Sequence, residues 1–338
     1  MILRRVSIPK LCLIATIAVL QSALVQNGAW SEDLASKHKL TKGDIDRWMT
    51  ELSNWGRWGK DDQLGAVNLI TPAMRRDAAR LVRDGITVSL AHDAVTQRAA
   101  DCLTPYIHQM MPRVAGDPES ASDMITVNYH GYAHTHLDAL CHIFYHGKMY
   151  NGFSKDAEVT DSGSKKCGVD QLKNGLMGKA VLFDIPRLKG KPYLDLGEAI
   201  FPEDLDAWEK KAGIKLGKGD IALIRTGRWA RRAALGAWDM ESFAGLHASC
   251  MPWFKKRDIA ILGTDSASDV MPSQVPGVNM PVHQIAVVAM GLWILDVLDL
   301  EKAGEECETR KRWEFLLTVG PLRVVGGTGS PVNPIATF

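Results

Sequence analysis

The sequence predicts a mixed α/β fold in one domain, and three observations predict it. Short apolar runs rich in β-formers, at 180–185, 221–225 and 259–262, are bounded by turn residues and read as buried strands. Stretches with caps and helical periodicity read as helices. Strands and helices are interspersed without a regular βαβ alternation, and no internal repeat or low-complexity linker divides the 338 residues. Hydrophobic residues make up 46% and charged residues 23%, which suits a chain that buries a large core. Lys and Arg number 40 against 39 Asp and Glu, with no block of either sign, so no electrostatic footprint for nucleic acid is present.

The elements follow in order. Arg4, Arg5 and Lys10 precede an apolar run from Leu11 to Val25, and Ala29-Trp30-Ser31 supplies a small-x-small step. This is the layout of a secretory signal peptide. The run is too short for the roughly 20 residues of a membrane span. Residues 1–31 are therefore expected to be a signal and 32–338 the mature domain, secreted or periplasmic; an uncleaved anchor is the second reading. No later stretch suits a bilayer. Thr41 caps a helix to about Leu52, near a cluster of Trp48, Trp55 and Trp58. Thr71-Pro72 starts a helix over 73–83 that Gly85 stops. Ile86–Ala91 reads as a strand, 105–122 as an irregular loop, and 124–130 as a strand. Leu205–Ala212 is a helix closed by Gly213. Pro281–Gly291 is an apolar helix leading into the strand-like 293–298. Residues 316–325 are strand-like, and 326–334 form a turn-rich tail.

Six cysteines, Cys12, Cys102, Cys141, Cys167, Cys250 and Cys307, show no CxxC and no dense framework. A Cys102–Cys167 bridge is allowed in an oxidising compartment, but scattered cysteines are more often buried apolar residues.

Chemistry concentrates in residues 130–142, which hold four of the ten histidines. If 130–138 is extended, His130, Tyr132, His134, His136 and Asp138 share one face. Neighbours on that face are about 7 Å apart, so two or three converge on one ion only where the strand bends. Imidazoles and a carboxylate suit a divalent Zn or Mn ion. If the chain turns helical after Asp138, His142 returns to the same side as a proton carrier. Burying five such groups without a common partner is costly. Asp265 follows a predicted strand and reads equally as a site residue or a turn cap. Cys141 lies between apolar neighbours and reads as packing. The chain has neither a Gly-x-Ser-x-Gly elbow nor a phosphate loop.

Thr135-His136-Leu137-Asp138-Ala139-Leu140-Cys141-His142 resembles the T-H-x-D-x-x-x-H core of the metal-dependent cyclase family, which includes bacterial kynurenine formamidase and isatin hydrolase. The segments 57–68, 147–152 and 327–336 resemble that family in the same order. The resemblance implies a swivelling β/β/α fold with one or two metal ions. By position it implies His136 and Asp138 as ligands and His142 as the catalytic histidine. The family's formamidases carry another ligand four residues before the position of His136, where this chain has Tyr132; His130 or His134 takes its place, or one ion is held. His283 and Asp296 match a second pair of ligands, with Asp296 in place of a Glu. Tyr132, Phe144 and Trp58 are the candidates for an aromatic-accepting substrate pocket.

The expected function is hydrolysis of a small amide, with N-formylkynurenine giving kynurenine and formate as the leading case. The ion lowers the pKa of water from 15.7 towards about 7, the resulting hydroxide attacks the carbonyl, and His142 acts as general acid and base. Two alternatives are a related cyclase, dehydratase, lactonase or isatin-type ring hydrolase, and a non-catalytic periplasmic binding protein. The resemblance also implies a homodimer or homotetramer.

Overall fold

Uninterrupted apolar runs can bury both faces of a strand, and parallel strands of this kind form the centre of the sheet. The computed structural model describes residues 33–111 and 120–338. The predicted signal segment with Cys12, and part of the 105–122 loop, lie outside the described residues. The chain divides into two units, Met1–Lys39 and Leu40–Phe338. Residues 33–37 of the first are helical; the second contains the elements below.

A nine-stranded sheet runs from one edge through Thr87–Ser89, Ile335–Thr337, Glu314–Val319, Leu176–Asp184, Ile221–Arg225, Ile261–Thr264, Trp293–Asp296, His136–Asp138 and Gly329–Pro331. The strands from Leu176–Asp184 to Trp293–Asp296 are parallel to one another. Antiparallel strands flank them on both sides. Helices Pro202–Ala212, Arg228–Leu235 and Cys250–Arg257 lie in the crossovers that parallel strands require. Val181, Leu182, Leu223, Leu262 and Ile294 are fully buried in one continuous core.

Helix Lys42–Glu51 starts as its sequence predicts. The Thr41 side chain accepts from the Asp44 N–H, and the Asp44 carboxylate accepts from the Thr41 N–H at 2.9 Å, completing a capping box. The helix at Thr71-Pro72 spans Pro72–Ala79 and stops short of Arg83: the N–H groups of Arg80, Leu81 and Val82 bond three residues back, and those of Asp84 and Gly85 go to the Phe338 carbonyl. The 105–122 segment is not wholly irregular: Ile107–Met110 pairs with Asp123–Thr126 as an exposed hairpin. The strand expected over 124–130 accordingly ends at Thr126. The turn-rich tail contributes a sheet strand, Gly329–Pro331. The described cysteines are all free and buried, so Cys102 and Cys167 are not bridged.

The apolar segment 281–291 is helical but not regular. Pro281–His283 is one α-turn, Gln284–Met290 is π-helical, and Gly291 ends it in the left-handed region. Carbonyls at its end are taken by the N-terminal Trp segment. The Asn54 N–H donates to Ala289 O at 2.9 Å, the Asn54 amide to Met290 O at 2.7 Å, and the Trp55 indole to Val288 O at 2.6 Å. This segment caps the helix that carries His283, which satisfies its terminal acceptors.

Candidate metal centre

The site forms where the parallel strands end and an antiparallel strand enters. The strand His136–Asp138 pairs with Trp293–Asp296, and Asp296 lies directly opposite His136. Residues two apart on a strand share a face, so His136, Asp138 and Asp296 point the same way. The carboxyl ends of parallel strands are the usual place for ligand sites in open α/β sheets.

His136 Nε2 is 3.4 Å from Asp138 Oδ1. His283 Nε2 is 3.0 Å from Asp296 Oδ2 and 3.8 Å from Asp138 Oδ2. His130 Nδ1 is 3.0 Å and His142 Nε2 4.0 Å from Asp138 Oδ1. Two groups, His130–Asp138–His142 and His136–Asp138–Asp296, each bring one donor atom per residue within 4.8 Å of the others. Asp138 belongs to both. Sequence residues 136, 138, 142, 283 and 296 are thus brought together, and His130 joins them.

His134 does not. Only 136–138 is extended, and the chain bends through 130–134. The alternation that would put His134 beside His136 is therefore lost, and its Nε2 lies 3.2 Å from the Thr104 carbonyl oxygen. The same bend carries His130 inward, where its Nε2 meets the Thr328 hydroxyl at 2.9 Å. Glycine at 329 permits this approach: a Cβ there would lie 2.4 Å from Leu137 O and 3.0 Å from His130 Cε1. Tyr132 packs on Phe243, with ring centroids 5.2 Å apart. A cavity of about 220 Å³ is lined by Tyr129, His130 and Tyr132 among others. Phe144 and Trp58 both pack against the main core; Phe144 lies under Lys155 Nζ at 5.4 Å and Trp58 under Arg57 at 4.7 Å.

Several supporting residues carry no motif. Asp269 Oδ2 is 2.6 Å from His283 Nδ1 and accepts the His283 N–H, while its other oxygen accepts the Val282 N–H. This leaves Nε2 of His283 as the inward-facing atom. The Ser268 hydroxyl donates to Asp296 Oδ1 at 2.8 Å, with Thr264 Oγ1 at 3.4 Å. The only sequence signal for these was a polar run after an apolar strand. Asp265 is a turn cap and not part of the site: it accepts from the N–H groups of Thr226 and Gly227 and from the Thr226 hydroxyl.

Burial works against charge on every one of these groups. At His283, Asp296 and Asp269 outweigh it and hold the imidazole well above its ordinary value. At Asp138, His136 followed by His130 and His142 overcome it and hold the carboxyl well below the usual range. At His142 burial prevails and pushes the imidazole down to about 4. Burial also raises the Tyr132 phenol and keeps it protonated. His130 Nδ1 and Asp138 Oδ1, buried and 3.0 Å apart, make no well-directed hydrogen bond with each other or with any other group. Each such atom costs about 1–3 kcal/mol unless something satisfies it. A divalent cation satisfies both, and the imidazole–carboxylate donor set suits one.

The family model described as "Putative cyclase" matches residues 89–269. A crystal structure described as a novel cyclase is 32% identical, with a TM-score of 0.75, covering 86% of this chain and 99% of its own. Isatin hydrolase A from Labrenzia aggregata, bound to benzyl benzoate, is 20% identical with a TM-score of 0.55, over 77% of this chain and 94% of its own. Isatin hydrolase A from Ralstonia solanacearum is 19% identical with a TM-score of 0.53, over 78% and 95%. The likeness to these two hydrolases is one of fold. No curated protein matches the chain. With its mixed α/β sheet, its His and Asp groups able to hold a metal, and a match over more than half its length, the chain belongs to the cyclase family.

Proposed function

We propose that the chain is a metal-dependent hydrolase of a small amide or cyclic amide, with an arylformamide such as N-formylkynurenine as the leading substrate. One observation carries the reading. Four imidazoles from two distant stretches converge on Asp138 and Asp296, and two buried atoms among them, His130 Nδ1 and Asp138 Oδ1, lie 3.0 Å apart without a well-directed hydrogen bond to each other or to any other group. His136, Asp138, Asp296 and His283 would hold one divalent ion, Zn or Mn. His130 is placed to join through Asp138 or to hold a second ion. When bound, the ion supplies a Lewis acid and lowers the pKa of a water molecule.

The protein's own groups do the rest. His142, neutral at pH 7 because burial disfavours its charge, accepts a proton at Nε2 from the attacking water. It returns that proton to the leaving nitrogen as the C–N bond breaks, so an arylformamide and water give formate and an aryl amine. His130 stacks on His142 and holds its ring plane. The Tyr132 phenol, kept protonated, offers an O–H to the substrate. Isatin-type or lactone ring opening uses the same groups and is the second reading, favoured by the shared fold with the isatin hydrolases.

The N-terminal charge-then-apolar pattern supports a secreted or periplasmic mature protein, and the family resemblance favours a homodimer or homotetramer acting on a small molecule. Among the described residues no helix is long and apolar enough to cross a membrane. The deciding experiment strips the protein with a chelator, reloads it with Zn or Mn, and assays N-formylkynurenine, isatin and a set of lactones. Activity should vanish and return with the metal. Full turnover by stripped protein, or binding of these compounds without turnover by loaded protein, refutes the reading.

A further inference from the structure

The loop that follows helix Arg228–Leu235 is exposed at Ala237, Asp239 and Glu241, yet Met240 within it is only 6% exposed. The backbone turns this side chain inward. Asp239 Oδ1 accepts the Glu241 N–H at 3.1 Å and closes a turn around Met240, which sits in the left-handed region at φ +63°. That conformation is costly for a methionine and is tolerated better by glycine, asparagine or aspartate. It persists because both flanks are fixed. On one side the Gly236 N–H donates to Arg232 O at 2.9 Å; on the other, Phe243 and Met271 exchange two N–H to O bonds of 3.0 Å. The Trp238 indole spans the turn to Ser242 O at 3.0 Å. Backbone outliers held in place by their surroundings cluster at ligand clamps.

The side chain so placed reaches the edge of the metal centre. Met240 packs with Phe243 and Ala267, and Tyr132 and Trp238 lie against that cluster. Met240 also lines the cavity of about 220 Å³ that His130 and Tyr132 line. His130 Nδ1 is 3.0 Å from Asp138 Oδ1, so the cavity borders the groups that would hold the ion. Cys102, Leu103 and Ala133 add apolar surface to it. An apolar cavity of about 150 Å³ takes up benzene. One of about 220 Å³ therefore has room for a single aromatic ring with a short substituent and is too small for two rings. A thioether suits the wall of such a space, because its polarizable sulfur makes favourable contacts with aromatic rings.

We propose that Met240 is a specificity-determining residue: its thioether walls the cavity beside the metal centre and limits the substrate to a monocyclic aryl compound. The inference rests on the hydrolase reading for the reaction performed there and adds the shape of the group accepted. Met240 touches the ring and takes no part in breaking the C–N bond. The turn at Asp239–Glu241 fixes its position, so the size limit is built into the backbone rather than left to a mobile side chain.

The test reads binding and does not depend on turnover. The full metal-loaded protein is titrated calorimetrically with two aryl amines, 2-aminoacetophenone with one ring and 2-aminobenzophenone with two. Wild type should bind the one-ring amine about tenfold or more the tighter, the discrimination that a pocket wall gives by size. Met240→Gly opens the wall and suits the left-handed backbone, so it should fold; its affinity for 2-aminobenzophenone should rise about tenfold or more and the preference should disappear. Met240→Phe fills the cavity and should weaken 2-aminoacetophenone by a similar factor. Met240→Leu keeps the volume and should keep the wild-type preference. Bound metal should stay constant throughout. Equal affinity of wild type for the two amines, no binding of either, or an unchanged preference in both the Gly and Phe variants at full metal content would each overturn the proposal while leaving metal-dependent hydrolysis standing. A size preference that follows residue 240 in a protein that hydrolyses no amide would instead support the pocket and refute the hydrolase reading alone.

Discussion

His130 and His142 lie face to face, with ring centroids 3.7 Å apart and planes 3° from parallel. Both are aimed at one oxygen, Asp138 Oδ1, which is 3.0 Å from His130 Nδ1 and 4.0 Å from His142 Nε2. The stack separates two roles. His130 is nearer the carboxylate and anchored on its far side by Thr328, whereas His142 is farther away and not so anchored.

That separation predicts different losses. His142→Ala should lower kcat about 10²–10⁴-fold, the usual worth of general acid–base catalysis, while bound metal stays constant. His136→Ala should reduce metal content along with activity. Metal analysis by mass spectrometry beside steady-state kinetics separates the two. Metal lost from His142→Ala would make that residue a ligand.

Asp269 touches His283 Nδ1 and lies behind it rather than at the centre. Its removal should act through His283, because an outer carboxylate fixes the tautomer and the ring of a metal-binding histidine. Asp269→Asn is expected to weaken metal affinity or activity about 10–100-fold. A metal titration with a competing chelator measures it. Unchanged affinity together with unchanged kcat would show that His283 needs no such support.

Gly291 ends the π-helix at φ +65°, and a Cβ on it would lie 2.4 Å from the Tyr150 ring. Gly291→Ala therefore combines a left-handed backbone with overpacking, and should destabilise by about 2 kcal/mol or more. Urea unfolding checks this. Wild-type stability in the variant would mean that Tyr150 moves aside freely.

Arg57 holds Asp258 through two hydrogen bonds, at 2.6 and 2.7 Å. This lowers the Asp258 carboxyl below its ordinary value, against the opposing effect of burial. A carboxyl lowered on folding contributes stability above its unfolded pKa of about 3.9 and loses it as pH falls through the folded value. Asp258→Asn should thus be less stable than wild type at pH 7, by at most about 1 kcal/mol. The gap should close below about pH 4. Unfolding curves at pH 7, 5 and 3 provide the comparison, and a gap that persists at pH 3 would assign the effect to packing.

Local chemistry made part of this legible. The Thr41 box and the Thr71-Pro72 start depend on neighbours within a few residues, and both appear where the pattern puts them. The apolar run at 221–225 became a sheet strand for the same reason, and that at 293–298 became one over Trp293–Asp296. His136, Asp138 and His142 were visible because the motif is contiguous. What stayed hidden depends on distant partners. His134 alternates correctly in the sequence, yet a bend before the strand turns it to Thr104. Asp269 looks like a loop acid until the fold brings it against His283. Helix Cys250–Arg257 was masked by Pro252 in its first turn, and Arg228–Leu235 by its arginines.

Strand Gly329–Pro331 closes over His136–Asp138, and Thr328 reaches His130 across 198 residues of chain. Such long-range closure is slow and comes late in folding. During synthesis the histidine loop emerges long before the residues that lock it, so the nascent polypeptide passes most of its elongation without a finished cage. His130 therefore takes its final position only after residues 328–331 have been made and have paired with His136–Asp138.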